Sequence, residues 1–178
     1  MKTLFILRSA LPNDLEAIAE LVLGIQRGEF GFDIRQQDQP DLVDPGAVFG
    51  SGQGCFFVIE FFGRIVACAG LQDCGEGIGQ VRKMFVAAPF RGGHFGLAQR
   101  LMQRLIVHGR EHGFVSLYLG TVSKLERAIS FYRKWGFREL PVASLPTQIQ
   151  VAPVDDRAFK LELSEACVPA NDLRRSPV

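Results

Sequence analysis

Between Val86 and Leu97 the chain changes its hydrophobic period, and few folds accommodate that change. Upstream, residues 55–62, 65–71 and 80–86 read as strands rich in aromatic and β-branched side chains. Short turns separate them: Gly63-Arg64, then residues 73–79 with three glycines. Downstream, from His94, apolar residues recur about every 3.6 positions. Leu97, Leu101, Leu105 and His108 fall on one side of a helix, with Phe95, Ala98, Met102 and Ile106 beside them. An antiparallel meander that runs straight into an amphipathic helix calls for a sheet covered by helices.

The flanking segments extend that pattern. Residues 3–8 read as a first strand, and Asn13 or Asp14 as the cap of a helix with Ile18, Leu21, Val22 and Ile25 on one face. Residues 27–54 are rich in Gly, Asp, Gln and Pro and have no sustained period. That stretch predicts a loop-rich or short-helix segment of low local stability, anchored by Phe30, Phe32, Leu42 and Val43. A strand is expected over 114–119 and a helix over 123–135, with Leu125, Ala128, Ile129, Tyr132 and Trp135 inward and Gly136 closing it. Strands over 137–142 and 158–163 complete the series. The expected class is α/β, more strictly an α+β mixed sheet, mostly antiparallel. Residues 1–163 read as a single domain and 164–178 as a tail.

Length and charge exclude several function classes. The 178 residues suit one domain with its own core. A net charge of +1 argues against a dedicated nucleic-acid binder. No apolar run is long enough to cross a bilayer, so no membrane partner is expected. Met1 to Leu11 does not read as a signal peptide. Cys55, Cys68, Cys74 and Cys167 form no Cys-x-x-Cys pair and have no histidine at ligand spacing, which predicts free thiols and no metal site. A cytoplasmic location follows as the expectation. An exposed final strand, 158–163, is expected to be available for a homodimer.

The turn itself carries chemistry. Arg91-Gly92-Gly93-His94-Phe95-Gly96 joins a strand to a helix that starts near Leu97. Glycines let several N–H groups converge, the helix dipole lies behind them, and Arg91 adds a charge, which together describe an anion site. A plain turn that needs glycine only for its geometry is the alternative. The Gly-Lys-Ser/Thr ending of a nucleotide-triphosphate loop is missing, and a dinucleotide turn would follow the first strand of a parallel unit. On the later helix, Tyr132 shares the inner stripe, where a phenol is either a core aromatic or a proton donor.

Taken together, these elements resemble the GNAT-type acyl-CoA N-acyltransferases over residues 55–163. The turn from Arg91 through Gly92, Gly93, His94, Phe95 and Gly96 to Leu97 looks like that family's Arg-x-x-Gly-x-Gly pyrophosphate loop. Tyr132, Gly136 and Phe137 look like its Tyr-x-x-x-Gly-Phe signature, and residues 81–86 look like its bulged fourth strand. Ile25 to Phe30, Asp38 to Leu42, Leu119 to Thr121 and Leu145-Pro146 bring the chain close to one uncharacterised subgroup. The resemblance implies a GNAT-like fold, splayed at the cofactor site with helices on both faces. It also implies acetyl-CoA as co-substrate, held by the turn residues, Met84, Phe85, Val86 and Thr121.

The implied activity is N-acetyl transfer to a primary amine of a small molecule or peptide by direct attack, with Tyr132 donating to the departing thiolate. Glu29 is the candidate base in the acceptor-side segment, beside Asp33 and Asp38. Three positions depart from the family pattern. His94 stands at a glycine position, Gln80 stands where many members carry a glutamate base, and Leu125 replaces a frequent asparagine. The Gln80 and His94 departures keep a second reading open: a non-catalytic acyl-CoA-binding sensor or partner subunit. Residues 27–54 and 141–156 are the expected acceptor loops.

Overall fold

Phe62 and Gly63 show how local sequence sets the meander. Both have positive φ, 47° and 76°, as a two-residue hairpin loop of the right twist requires. The turn therefore lies one residue earlier than Gly63-Arg64. The computed structural model describes residues 4–166. They gather into two compact units, one of residues 4–73 and 81–105, the other of 74–80 and 106–166.

In the first unit, β1 (Phe5–Ser9) pairs antiparallel with β2 (Cys55–Phe61), from Phe5 opposite Phe61 to Ser9 opposite Phe57. β2 pairs antiparallel with β3 (Arg64–Asp73), with a register shift between Ile59 and Glu60. α1 (Leu15–Gly28) buries Ile18, Val22 and Ile25, as its periodicity predicts. Asp14 stands at the N-cap of α1, but its carboxylate does not cap. It accepts from the Leu11 N–H at 2.7 Å and from the Arg8 guanidinium at 2.6 and 3.0 Å. The guanidinium holds the Asp14 carboxyl below the usual carboxylate range.

Residues 27–54 contain two short helices, α2 (Pro40–Val43) and α3 (Pro45–Phe49). Of the expected anchors, Leu42 is buried and Phe30 and Phe32 are half-buried, but Val43 is 55% exposed. Phe49 takes its place in the core, with Ile18, Val22, Phe56, Val58 and Cys68. Its ring meets Phe56 edge-on at 4.9 Å. The amides of Gln26 and Gln39 exchange two hydrogen bonds, at 3.0 and 2.9 Å, and tie the segment to α1.

In the second unit, the first residues of β4 (Ile78–Val86) lie parallel to β5 (Ser116–Thr121), Ile78 to Gln80 opposite Ser116 to Tyr118. β5 pairs antiparallel with β7 (Arg157–Glu162), and β7 with β6 (Arg138–Leu140). The hydrogen-bonded order is β1-β2-β3-β4-β5-β7-β6, a mixed seven-stranded sheet. The last strand is thus not exposed: β7 has a partner on each side, and the three-residue β6 is the edge. α4 spans Leu97–Glu111. α5 is Glu126–Lys134, shorter than expected, because Leu125 is non-helical at ψ 57° and Ser123 donates to the Asp156 carboxylate instead. Cys167 and most of the expected tail lie outside the described residues.

The Phe49 ring occupies the space that a Cβ at Gly70 would need. Phe49→Ala should cost about 3–5 kcal/mol and Gly70→Ala about 1–3 kcal/mol in urea unfolding. In the Phe49→Ala background, Gly70→Ala should add little, a coupling that a double-mutant cycle measures directly.

Candidate functional site

The site elements of the first unit begin inside β4. Lys83 has φ 53°, a left-handed backbone that costs an L-residue about 1–3 kcal/mol. Its carbonyl accepts from the Cys68 thiol at 3.2 Å. This break in the regular strand backbone falls within residues 81–86, where the resemblance implied a bulge. Met84, Phe85 and Val86 follow it, half-buried.

After β4, a short 3-10 turn over Ala88–Phe90 leads to Arg91 and the glycines. Gly92 has φ 99° and Gly96 φ 63°, so both need glycine for their backbone. A Cβ at Gly92 or Gly93 would meet nothing within 4 Å, so protein packing does not explain the glycines. His94 is not left-handed. Its place in the motif therefore carries no backbone strain, and its exposed ring lies edge-on to Phe95 at 5.0 Å. Phe95 in turn meets Phe5 at 5.4 Å and Phe90 at 6.0 Å, which pins the turn to β1.

Hydrogen-bond accounting shows what the turn can hold. Gly96 donates weakly to the Gly92 carbonyl at 3.4 Å, and the first bond of α4 is Arg100 N–H to the Gly96 carbonyl at 3.0 Å. Among the described residues, the N–H groups of Gly92, Gly93, His94 and Phe95 meet no protein acceptor, and those of Leu97, Ala98 and Gln99 are the orphan donors of the helix start. Converging unsatisfied donors on glycine backbone at a helix N-terminus fit a phosphate-bearing group.

Arg91 lies within this turn, but its guanidinium already has partners. Nε donates to the Val86 carbonyl at 2.7 Å, and the two terminal nitrogens donate to Glu29 at 2.5 and 2.9 Å. Glu29, expected as the base, is placed instead as the bidentate partner of Arg91. A carboxylate with both oxygens on a guanidinium must first give up those bonds to serve an amine. Asp38 is similarly paired with Arg35, and Asp33 is exposed. The carboxylate that the sequence reading missed is Asp41, 1% exposed beside Arg82 and Lys83.

The second unit holds Tyr132, Gln80 and Thr121. Tyr132 packs among Phe131, Phe137 and Phe159. Burial, with the Asp155 carboxylate adding to it, pushes its phenol up to about 12, so the group stays protonated at neutral pH. Thr121 ends β5, is buried, and accepts the Asp156 N–H at 3.1 Å. Gln80, at the position of the missing glutamate, is buried and paired at both ends of its amide. Its Nε2 donates to the Gln150 carbonyl at 2.5 Å, and its Oε1 accepts the Gln150 N–H at 3.2 Å. One side chain thus ties the 141–156 loop to β4 as a strand neighbour would.

A family model described as the acetyltransferase (GNAT) family matches residues 19–137. The chain belongs to this family. An acetyltransferase of the GNAT family from Staphylococcus aureus has the same fold, with a TM-score of 0.85 at 28% identity, over 89% of this chain and 99% of that one. An uncharacterised N-acetyltransferase of Schizosaccharomyces pombe is 28% identical over 131 residues, 72% of this chain and 78% of its own. N-acetylglutamate synthase from Neisseria gonorrhoeae, solved with coenzyme A and N-acetyl-glutamate, shares the fold at a TM-score of 0.69 and 19% identity, over 92% of this chain and 36% of that one. The protein is therefore an N-acetyltransferase of a fold that uses acyl-CoA and amine acceptors. No helix among the described residues is long and apolar enough to cross a membrane.

Gln80→Glu writes the family's glutamate into this chain and should not improve catalysis. The new carboxylate would face the Gln150 carbonyl with no proton to donate, a repulsion that leaves a buried acceptor unsatisfied. Thermal unfolding should show a loss of about 1–3 kcal/mol, and amide exchange should rise in residues 141–156. A Gln80→Glu enzyme of normal stability and higher kcat would contradict this account.

Proposed function

We propose that the protein transfers the acetyl group of acetyl-CoA to a primary amine of a small molecule or peptide by direct attack. The observation that carries this reading is the set of unsatisfied N–H groups of Gly92 to Phe95 and Leu97 to Gln99. In it, the backbone of residues 92–99 holds the pyrophosphate, with Arg91 adding charge from the side. The strand backbone at Met84, Phe85 and Val86 orients the pantetheine arm and polarises the acetyl carbonyl, and Thr121 contributes from the end of β5. When bound, acetyl-CoA supplies an activated acetyl thioester. The new bond joins the amine nitrogen to the acetyl carbon, and the carbon–sulfur bond breaks.

Two protons must move. Tyr132 gives its hydroxyl proton to the departing sulfur; the phenol, held up to about 12, carries that proton at neutral pH. The amine's proton passes to solvent, since Glu29 is committed to Arg91 and Gln80 has no basic oxygen. The phenolate is then reprotonated from water, and the enzyme returns to its starting state.

Steady-state kinetics with an acceptor found by mass-change screening test the reading. Tyr132→Phe should lower kcat by about 10²-fold or more with coenzyme A affinity nearly intact. The pH profile of kcat should show no basic limb from this phenol below about pH 11, because a group titrating at about 12 is still protonated there. Glu29→Gln separates its two roles. A base would lose about 10²–10⁴ in kcat, whereas the partner of Arg91 should leave kcat within a few-fold and tighten coenzyme A by freeing the guanidinium. Arg91→Ala should weaken coenzyme A by about 1–2 kcal/mol in calorimetry, a modest figure because the side chain is exposed and shared.

A further inference from the structure

The first unit contains a buried ion cluster that the proposed chemistry does not use. Asp41, on α2, is 1% exposed. Burying a carboxylate is costly unless opposite charge meets it. Its Oδ2 lies 2.9 Å from Arg82 Nε and 3.0 Å from Lys83 Nζ. These are close ionic contacts, off the line of a hydrogen bond. Arg82 also donates to the Gln72 side chain at 3.1 Å. The Lys83 side chain is only 11% exposed, and burial draws its pKa down while Asp41 opposes the shift.

Arg82 and Lys83 are consecutive residues. On a regular strand they would face opposite sides of the sheet. Both reach one carboxylate oxygen here, and the left-handed backbone at Lys83, φ 53°, is what breaks the alternation. Lysine does not favour that backbone. The cluster offers the compensation, since the bulge lets two cations converge and the carboxylate holds them there. The Cys68 thiol takes the Lys83 carbonyl on the β3 side, so the distortion is secured from both directions.

Residues 84–86 follow directly, and in the function proposed above their backbone meets the cofactor. We propose that Asp41 is a positioning residue that sets the β4 bulge and thereby aims the backbone of Met84, Phe85 and Val86. This rests on the coenzyme A reading for its functional consequence, while the structural step from Asp41 to the bulge stands apart from it. The Asp-Leu pair at 41–42 then has a division of labour: Leu42 anchors α2 in the core, and Asp41 shapes the neighbouring strand.

Backbone preference supplies the test. Asp41→Asn keeps the shape and removes the charge. In the free protein, amide exchange at residues 84–86 should accelerate about tenfold, the factor that relief of one strained residue supports. Coenzyme A affinity, measured by calorimetry, should fall by a similar factor. Adding Lys83→Gly should reverse both effects, because glycine adopts positive φ without steric cost. Lys83→Gly also removes a cation left buried without its partner, so Asp41→Asn with Lys83→Met is the control: a role confined to charge pairing predicts equal rescue by methionine, whereas positioning of the bulge predicts rescue by glycine alone. Lys83→Val in the otherwise native protein should reproduce the Asp41→Asn losses, and Lys83→Gly alone should not.

Normal exchange in a folded Asp41→Asn protein, or no recovery on adding Lys83→Gly, overturns the proposal. If Asp41→Asn does not fold, the Lys83→Gly and Lys83→Val proteins decide, and equal behaviour of the two overturns it. If the native protein binds no coenzyme A, the functional reading falls, while the exchange data still show whether Asp41 sets the bulge.

Discussion

Lys83 holds a left-handed backbone in the middle of a strand, against the preference of its own side chain, and much of the first unit is arranged to keep it there. The buried Asp41 carboxylate meets two consecutive cations from one side, and the Cys68 thiol meets the Lys83 carbonyl from the other. Leu42 and Phe49 sink the short helices around Asp41 into the core, and the Gln26–Gln39 amide pair ties them to α1. A segment that looks irregular in sequence is therefore a brace. Its stability comes from a few buried anchors and polar pairs rather than from periodic apolar faces.

The same economy appears at the turn after β4. Its glycines are not packed against protein, and two of them adopt φ values that side chains resist. The N–H groups of Gly92 to Phe95 are left without protein acceptors, while a network of Phe5, Phe90 and Phe95 holds the turn's course. Apolar contacts fix the shape, so the polar groups are left over for a ligand. That division suits the turn to the anion proposed for it, since a donor array costs least when it need not reorganise on binding.

Most of this architecture was legible from periodicity. The change of period at residue 94, the apolar stripe of α1 and the alternation of β2 and β3 depend on local patterns, and the structure follows them. The misses share a physical cause. That β7 lies between β5 and β6 depends on long-range pairing, which strand propensity does not encode. Val43 and Phe49 differ little in hydrophobicity, but only Phe49 finds the space beside Gly70. Asp41 gave no signal as a buried group, because an aspartate among Gln, Pro and Asp reads as solvated loop. Its burial follows from two cations more than forty residues further on. The turn and Tyr132 were visible because their chemistry is carried by adjacent residues. Their partners were hidden because pairs such as Glu29–Arg91 form only on folding.

Gln80 shows how the loss of a glutamate can be structural rather than merely permissive. A carboxylate can accept the Gln150 N–H, but at neutral pH it cannot donate to the Gln150 carbonyl. The amide does both, and so behaves as a short piece of strand that captures the 141–156 loop. Ile149, adjacent to the tether, is buried, so the amide pair and the apolar contact fix the same point of the loop. Holding the loop and serving as a base are incompatible demands on one side chain, because a base must present a free lone pair to the acceptor while the tether needs a donor aimed at a carbonyl. In this chain the tether has prevailed. In the reaction proposed above, proton removal then depends on the acceptor arriving neutral or losing its proton to solvent, so the proposal favours an acceptor amine of low pKa over a strongly basic one.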